Sequence, residues 1–194
     1  MRNIGERIAY WYLRLNGFFL IENFVHHKGR EESDILGYKP RGAQEIVIGK
    51  NIVDRKILTP DKKLVEMFRK HGVDYNNFNI AVICEVSLSK DPQDLRNKFK
   101  KSKIELALNR LGLNEFLSEK IEDVPIKIRG NVALAKLFFS RSDSTSEDIV
   151  LNIPIACALK FIKERMKLEF KKEPWDLFDD PFIQYIILEN IGWK

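Results

Sequence analysis

The chain has 194 residues, of which 44% are hydrophobic and 31% charged, and its formal net charge is +5. This composition excludes a disordered chain, and the length suits a single domain with one substantial core. The basic charge balance weakly favours a polyanionic partner. We expect no membrane association and a cytoplasmic location, because charges come too early for a signal peptide and no apolar run could span a bilayer.

Hydrophobic periodicity and turn residues predict alternating helices and strands. In chain order we expect a helix over 4–16, strands over 18–25, 33–38 and 45–48, a helix from Asp61 to Gly72, a strand over 80–84, a long helix over 91–111, a hairpin with arms 126–129 and 132–139, and helices after Pro154 and Pro181. This order predicts an α/β fold in which helices flank a mixed sheet.

Two cysteines in apolar surroundings, Cys84 and Cys157, predict free thiols.

Three acidic residues lie within apolar patterns that predict burial: Glu6 on the first helix, Asp34 at the second strand and Glu85 at the end of the strand over 80–84. A buried carboxylate is costly unless it is paired or binds a metal. Two carboxylates from neighbouring strand ends and one backbone carbonyl, that of Val86, would suit the oxygen preference of Mg²⁺. Each acid also has a structural interpretation: Asp34 could cap a turn at the strand end, Glu85 could be a solvated edge residue, and Glu6 could be a first-turn acid that the helix dipole favours.

This arrangement resembles the PD-(D/E)XK, or restriction-endonuclease-like, nuclease superfamily. The resemblance rests on Gly5-Glu6, Asn16-Gly17-Phe18, Ser33-Asp34-Ile35-Leu36 and Cys84-Glu85-Val86. It implies a restriction-endonuclease-like core over residues 1–38 and 79–139, an insertion over 40–77 and a C-terminal helical extension over 149–194, all within a single domain over 1–194. It also implies that Asp34 and Glu85 bind Mg²⁺ or Mn²⁺ with assistance from Glu6.

One residue departs from the family pattern, in which a lysine lies two positions after the glutamate and activates or positions the water. Here that position is Ser87. The lysine function could have moved to Lys90 just beyond the strand, or to Lys103 on the following helix. Alternatively, the water is activated without a lysine, or the site is inactive.

Basic residues near the acidic strands are candidates for contacts with nucleic acid. Arg30, Lys39 and Arg41 flank the Asp34 strand and could bind backbone phosphates. A second lysine cluster lies within the predicted helix over 91–111, at Lys98, Lys100, Lys101 and Lys103. On a helical wheel these lysines point in different directions, which favours a solvated flank over a DNA-contact face.

Two functional hypotheses from different classes follow from the sequence. The first is a metal-dependent nuclease that hydrolyses phosphodiester bonds, with DNA as the expected substrate. The second is a catalytically inactive nuclease-fold module that binds nucleic acid or a protein partner. A third hypothesis is an assembly subunit that docks on another copy, as in a homodimer, through its apolar C-terminal segment, Phe182 to Trp193.

Overall fold

The computed structural model describes residues 4–22, 33–48, 55–88, 95–141, 148–169 and 181–191. Its elements, in chain order, are α1 (Ile4–Leu15), β1 (Phe19–Glu22), β2 (Ile35–Lys39), β3 (Glu45–Ile48), β4 (Arg55–Leu58), α2 (Lys62–Lys70), β5 (Asn79–Ser87), α3 (Leu95–Lys98), α4 (Lys101–Leu111), a 3-10 turn (Asn114–Phe116), β6 (Ile126–Arg129), β7 (Val132–Ser140), β8 (Leu151–Pro154), α5 (Ile155–Glu169) and α6 (Pro181–Ile191).

Six of the strands form one mixed sheet. Strand β2 lies between β1 and β5 and is antiparallel to both, whereas β5 and β7 are parallel. The far edge of β7 is shared by two strands: β6 pairs antiparallel with its first half, and β8 pairs parallel with its second half. Strands β3 and β4 form a separate antiparallel hairpin. The structure is therefore an α/β fold with a mixed sheet flanked by helices.

Helices cover both faces of the sheet, so the central strand β5 is buried along most of its length. Even-numbered residues of β5, such as Val82 and Cys84, contribute to a core with α1, α2, α5 and α6. Odd-numbered residues, such as Ile83, contribute to a second core with Phe99 of the α3–α4 connection and Ile104 of α4. Because side chains alternate along a strand, the parity of a β5 position determines which helical layer it faces.

Several boundaries predicted from the sequence are confirmed by local geometry. Gly17 adopts a φ of 87° after α1, the left-handed conformation that commonly ends a helix. Asp61 caps α2 by accepting a hydrogen bond from the Lys63 N–H at 3.0 Å. The hairpin around Gly130 and Asn131 joins β6 to β7 as expected.

Other boundaries differ from the predicted ones. The helix expected over 91–111 is two helices in its described part, α3 and α4, because Lys100 adopts an extended conformation (φ −66°, ψ 154°) between them. Two short strands were not predicted: β4, which lies in the segment interpreted as an insertion together with β3 and α2, and β8. Residues 23–25 of the predicted first strand lie outside the described residues.

Candidate functional site at the ends of β2 and β5

The structure brings Asp34 and Glu85 together at one end of the sheet. The antiparallel register pairs Ile35 with Cys84, so its continuation by one residue places Asp34 opposite Glu85. Residues opposite each other in an antiparallel pair direct their side chains to the same face. The Val86 N–H donates a hydrogen bond of 2.7 Å to Asp34 Oδ2, which fixes this carboxylate against the end of β5.

Two lysines from the helical layer lie at the Glu85 carboxylate. Lys103 Nζ on α4 is 3.4 Å from Glu85 Oε1, and Lys98 Nζ on α3 is 3.9 Å from Glu85 Oε2. The side chain of Glu85 is 3% exposed, and that of Lys103 is 14% exposed. Lys98 Nζ also lies 5.9 Å from the centre of the Phe138 ring. A strand carboxylate is therefore buried under two ammonium groups that reach it from the helices.

Burial and the neighbouring carboxylate raise the pKa of Glu85 to about 7. Desolvation of the charged form is the largest cause, and repulsion from Asp34 adds to it. Lys103 and Lys98 act in the opposite direction and favour the ionised form. Glu85 thus changes its protonation state near neutral pH, as carboxyl groups at functional sites often do.

The position that departs from the family pattern lies in the same part of the sheet. Ser87 is on the same face of β5 as Glu85 and is in register with Ser140 of β7. The Ser140 hydroxyl donates a hydrogen bond of 2.7 Å to Asn152 Oδ1 on β8, and both side chains are buried. Sequence reasoning missed Ser140 and Asn152, although Ser140 shares the parity of Lys136 and Phe138 along β7 and could have been assigned to this face.

Glu6 does not join the other two acids. It lies on α1, whose buried residues Ile8, Ala9 and Tyr12 pack on the opposite face of the sheet from the one that Glu85 faces. Within the described ranges, no group of three His, Cys, Asp or Glu side chains is placed to hold a metal ion. Among the described residues, the site is therefore a pair of carboxylates with two lysines.

Two of the three basic residues proposed for phosphate contact, Lys39 and Arg41, lie away from this site. Lys39 ends β2 on the side away from Asp34, is 2% exposed, and donates its ammonium to the Tyr75 carbonyl at 2.9 Å. Arg41 is exposed, but its backbone N–H binds Asn79 Oδ1 at the start of β5, about 20 Å along the strand from Glu85. Lys39 is thus corrected to a buried residue. Arg30 and Lys90 lie outside the described residues.

Comparisons with protein-family models, with curated proteins and with solved structures found no match to this chain. Among the described helices, none is both long enough and apolar enough to cross a membrane. The function must therefore be inferred from the chemistry of the site.

Proposed function

We propose that this chain is a metal-dependent nuclease with a restriction-endonuclease-like core, in which Lys103 takes the role of the missing motif lysine. One observation carries the proposal: Asp34 and Glu85 face the same side of neighbouring strands, and the Lys103 ammonium lies 3.4 Å from Glu85. Two carboxylates and one lysine are the chemical groups that the resemblance requires, although this lysine comes from a helix.

The donor set suits a hard divalent cation. Asp34 and Glu85 offer carboxylate oxygens, and Mg²⁺ is commonly held by one or two carboxylates, with water and substrate phosphate completing its shell. A bound Mg²⁺ or Mn²⁺ would polarise a phosphate oxygen and lower the pKa of a bound water. The Val86 carbonyl stays a proposed third ligand. Glu6 is left out, because α1 packs on the other face of the sheet.

In this proposal, the two lysines contact the substrate and do not serve only to stabilise the folded protein. An ammonium beside the carboxylate pair can donate a hydrogen bond to a phosphate oxygen and stabilise the negative charge that develops during hydrolysis. Lys103 is the closer of the two lysines to Glu85, and Lys98 is the more exposed, at 27% against 14%. We therefore assign orientation of the reacting groups to Lys103 and attraction of the phosphate backbone to Lys98.

DNA is the proposed substrate because the site combines carboxylates with cationic side chains and the chain has a net charge of +5. A lysine ammonium can pair with a backbone phosphate, and the release of counterions from the DNA favours such contacts.

The test pairs calorimetry with a cleavage assay. Mn²⁺ is titrated into the wild-type protein, Glu85→Gln, Asp34→Asn and the control Glu105→Gln, which changes a glutamate on α4 that pairs with Lys101 instead. Plasmid nicking is measured on the same samples. We expect Mn²⁺ binding and nicking in the wild type and the control, and neither in the two site variants. Nicking that persists in both site variants would disprove the proposal.

A second candidate function, an inactive nuclease-fold module, is favoured by Ser87 and by the two lysines that already compensate the charge of Glu85. It predicts no cleavage of any nucleic acid with any divalent ion. The variant Ser87→Lys restores the family pattern and separates the two candidates. Cleavage that appears only in Ser87→Lys would favour the inactive module, whereas cleavage in the wild type would exclude it.

A further inference from the structure

A buried lysine, Lys39, lies at the opposite end of β2 from the carboxylate pair. The Lys39 ammonium donates one hydrogen bond of 2.9 Å, to the Tyr75 carbonyl, and lies 4.7 Å from the centre of the Tyr75 ring. Within the described part of the chain, no carboxylate oxygen lies within 4.0 Å of it. A lysine ammonium has three N–H donors, and the described residues account for one of them.

The nearest charge of opposite sign is already engaged in its own turn. Asp74 acts on Lys39 electrostatically, but its carboxylate accepts hydrogen bonds from the Asn76 N–H at 3.0 Å and from Asn77 Nδ2 at 2.7 Å. Burial lowers the pKa of Lys39, because the charged form loses its hydration, and the charge of Asp74 acts in the opposite direction. An unpaired buried charge is costly, so an anion bound beside Lys39 would stabilise the fold.

Lys39 lines a cavity of about 150 Å³ between the end of β2, the β3–β4 hairpin and the end of α1. Its walls combine apolar residues with polar side chains. The lining includes Leu15, Ile57, Leu58 and Pro60, and the polar residues Gln44 and Asn76. A cavity of this size holds a molecule of about six non-hydrogen atoms, such as benzene.

We propose that this cavity binds a small aliphatic carboxylate, with its two oxygens on the Lys39 ammonium and its alkyl chain against the apolar walls. Butyrate has the appropriate size. Inorganic phosphate fits less well, because it has no apolar part to contact Leu15, Ile57, Leu58 and Pro60, which would face its hydrated oxygens. This site is independent of the proposed nuclease function, since Lys39 and Asp34 lie at opposite ends of β2.

The experiment measures thermal unfolding with butyrate, with inorganic phosphate and with chloride at matched ionic strength. The proteins are the wild type, Lys39→Met, which keeps the length of the side chain without its charge, and Lys120→Met, which removes an exposed lysine. We expect butyrate to raise the melting temperature of the wild type and of Lys120→Met, with a Kd on the order of 1 mM for so small a ligand. In Lys39→Met, binding should weaken at least tenfold.

Methyl NMR of the wild-type protein keeps the test decisive if Lys39→Met does not fold. Butyrate should shift the methyl signals of Ile57 and Leu58, which line the cavity, and leave those of Ile104 and Leu108 in the other core unchanged. No methyl shifts, an equal response in folded Lys39→Met, or a larger response to phosphate than to butyrate would overturn the proposal.

Discussion

Lys103 Nζ and Glu85 Oε1 lie 3.4 Å apart, although one residue belongs to a helix and the other to the central strand. The position at which the nuclease family carries its lysine is two residues after Glu85 on the same strand, and here it is Ser87. The lysine of α4 thus reaches the carboxylate from the helical layer above the sheet. In the proposed site, the ammonium group therefore comes from helix α4 and not from strand β5.

The proposed role of Lys103 predicts a large effect from its removal. Lys103→Met keeps most of the side-chain volume but removes the ammonium, so nicking should fall by about 10²–10⁴-fold if the lysine orients or protonates a reacting group. The measurement is plasmid nicking at saturating Mn²⁺. Lys101→Met is the matched control, because Lys101 is on the same helix, is 71% exposed and pairs with Glu105.

Mn²⁺ affinity should depend on pH through Glu85. A raised pKa means that the folded protein holds the proton more tightly than an ordinary glutamate does, so below about pH 7 a metal ion must displace that proton. The apparent affinity should therefore rise up to tenfold per pH unit below this value and level off above it. Calorimetric titrations between pH 5.5 and 8.5 test this slope, and a flat profile would contradict a ligand role for Glu85.

Lys136 predicts a pH-dependent stability. It is fully buried on β7, donates a hydrogen bond of 2.6 Å to the Glu122 carbonyl, and has its pKa lowered to about 8, mainly by burial. The charged form is thus disfavoured in the folded state, and this penalty is relieved as the pH rises from about 8 towards the unfolded value of 10.5. Stability contributed by this group increases with pH in that window.

Replacement of the buried charge makes this dependence measurable. The free energy of unfolding of the wild type, relative to Lys136→Met, should increase by about 2 kcal/mol between pH 7 and pH 10. Urea denaturation at both pH values gives this difference. Lys120→Met, which changes an exposed lysine, should have the same free energy of unfolding as the wild type at both pH values. If the difference in free energy between the wild type and Lys136→Met is the same at pH 7 and pH 10, Lys136 is not a buried charge.

Tyr12 couples the first helix to the segment between the acidic strands. Its buried hydroxyl donates a hydrogen bond of 2.7 Å to Asp61 Oδ2, and the Asp61 N–H donates one of 2.7 Å to Asn16 Oδ1. Tyr12→Phe should lower the free energy of unfolding by about 1–2 kcal/mol, because a buried hydrogen bond to a charged acceptor is lost. Tyr185→Phe, at an exposed site, is the control in urea denaturation.

The positions of Asp34 and Glu85 could be predicted from the sequence, because side chains alternate between the two faces of a strand. The apolar run before Glu85 and the pattern around Asp34 place both acids at strand ends, and register then brings them together. The same reasoning could not place Glu6, because the side of the sheet on which α1 packs depends on tertiary contacts. The sequence makes Lys39 a candidate for phosphate contact, but its side chain is buried and its ammonium binds Tyr75, which is remote in sequence.

The lysine part of the site could not be predicted because the helical phase is broken. A wheel drawn over one helix from 91 to 111 separates Lys98 from Lys103, and this separation favoured a solvated flank. The extended conformation of Lys100 ends α3 and starts α4 with a new phase, so both ammonium groups reach Glu85. No strong helix breaker marks the positions 99 and 100, so local sequence gave little sign of the break.

Because β5 is buried between two helical layers, a cysteine on this strand can report when the helices separate from the sheet. Cys84, beside Glu85, is 0% exposed, whereas Cys157 at the start of α5 is partly accessible, and these are the two cysteines of the chain. A thiol reagent should modify Cys157 quickly and Cys84 only when the sheet separates from its helices. Mass spectrometry counts the modified thiols over time. The slow labelling rate of Cys84 would thus measure how often the protein exposes the strand that carries Glu85.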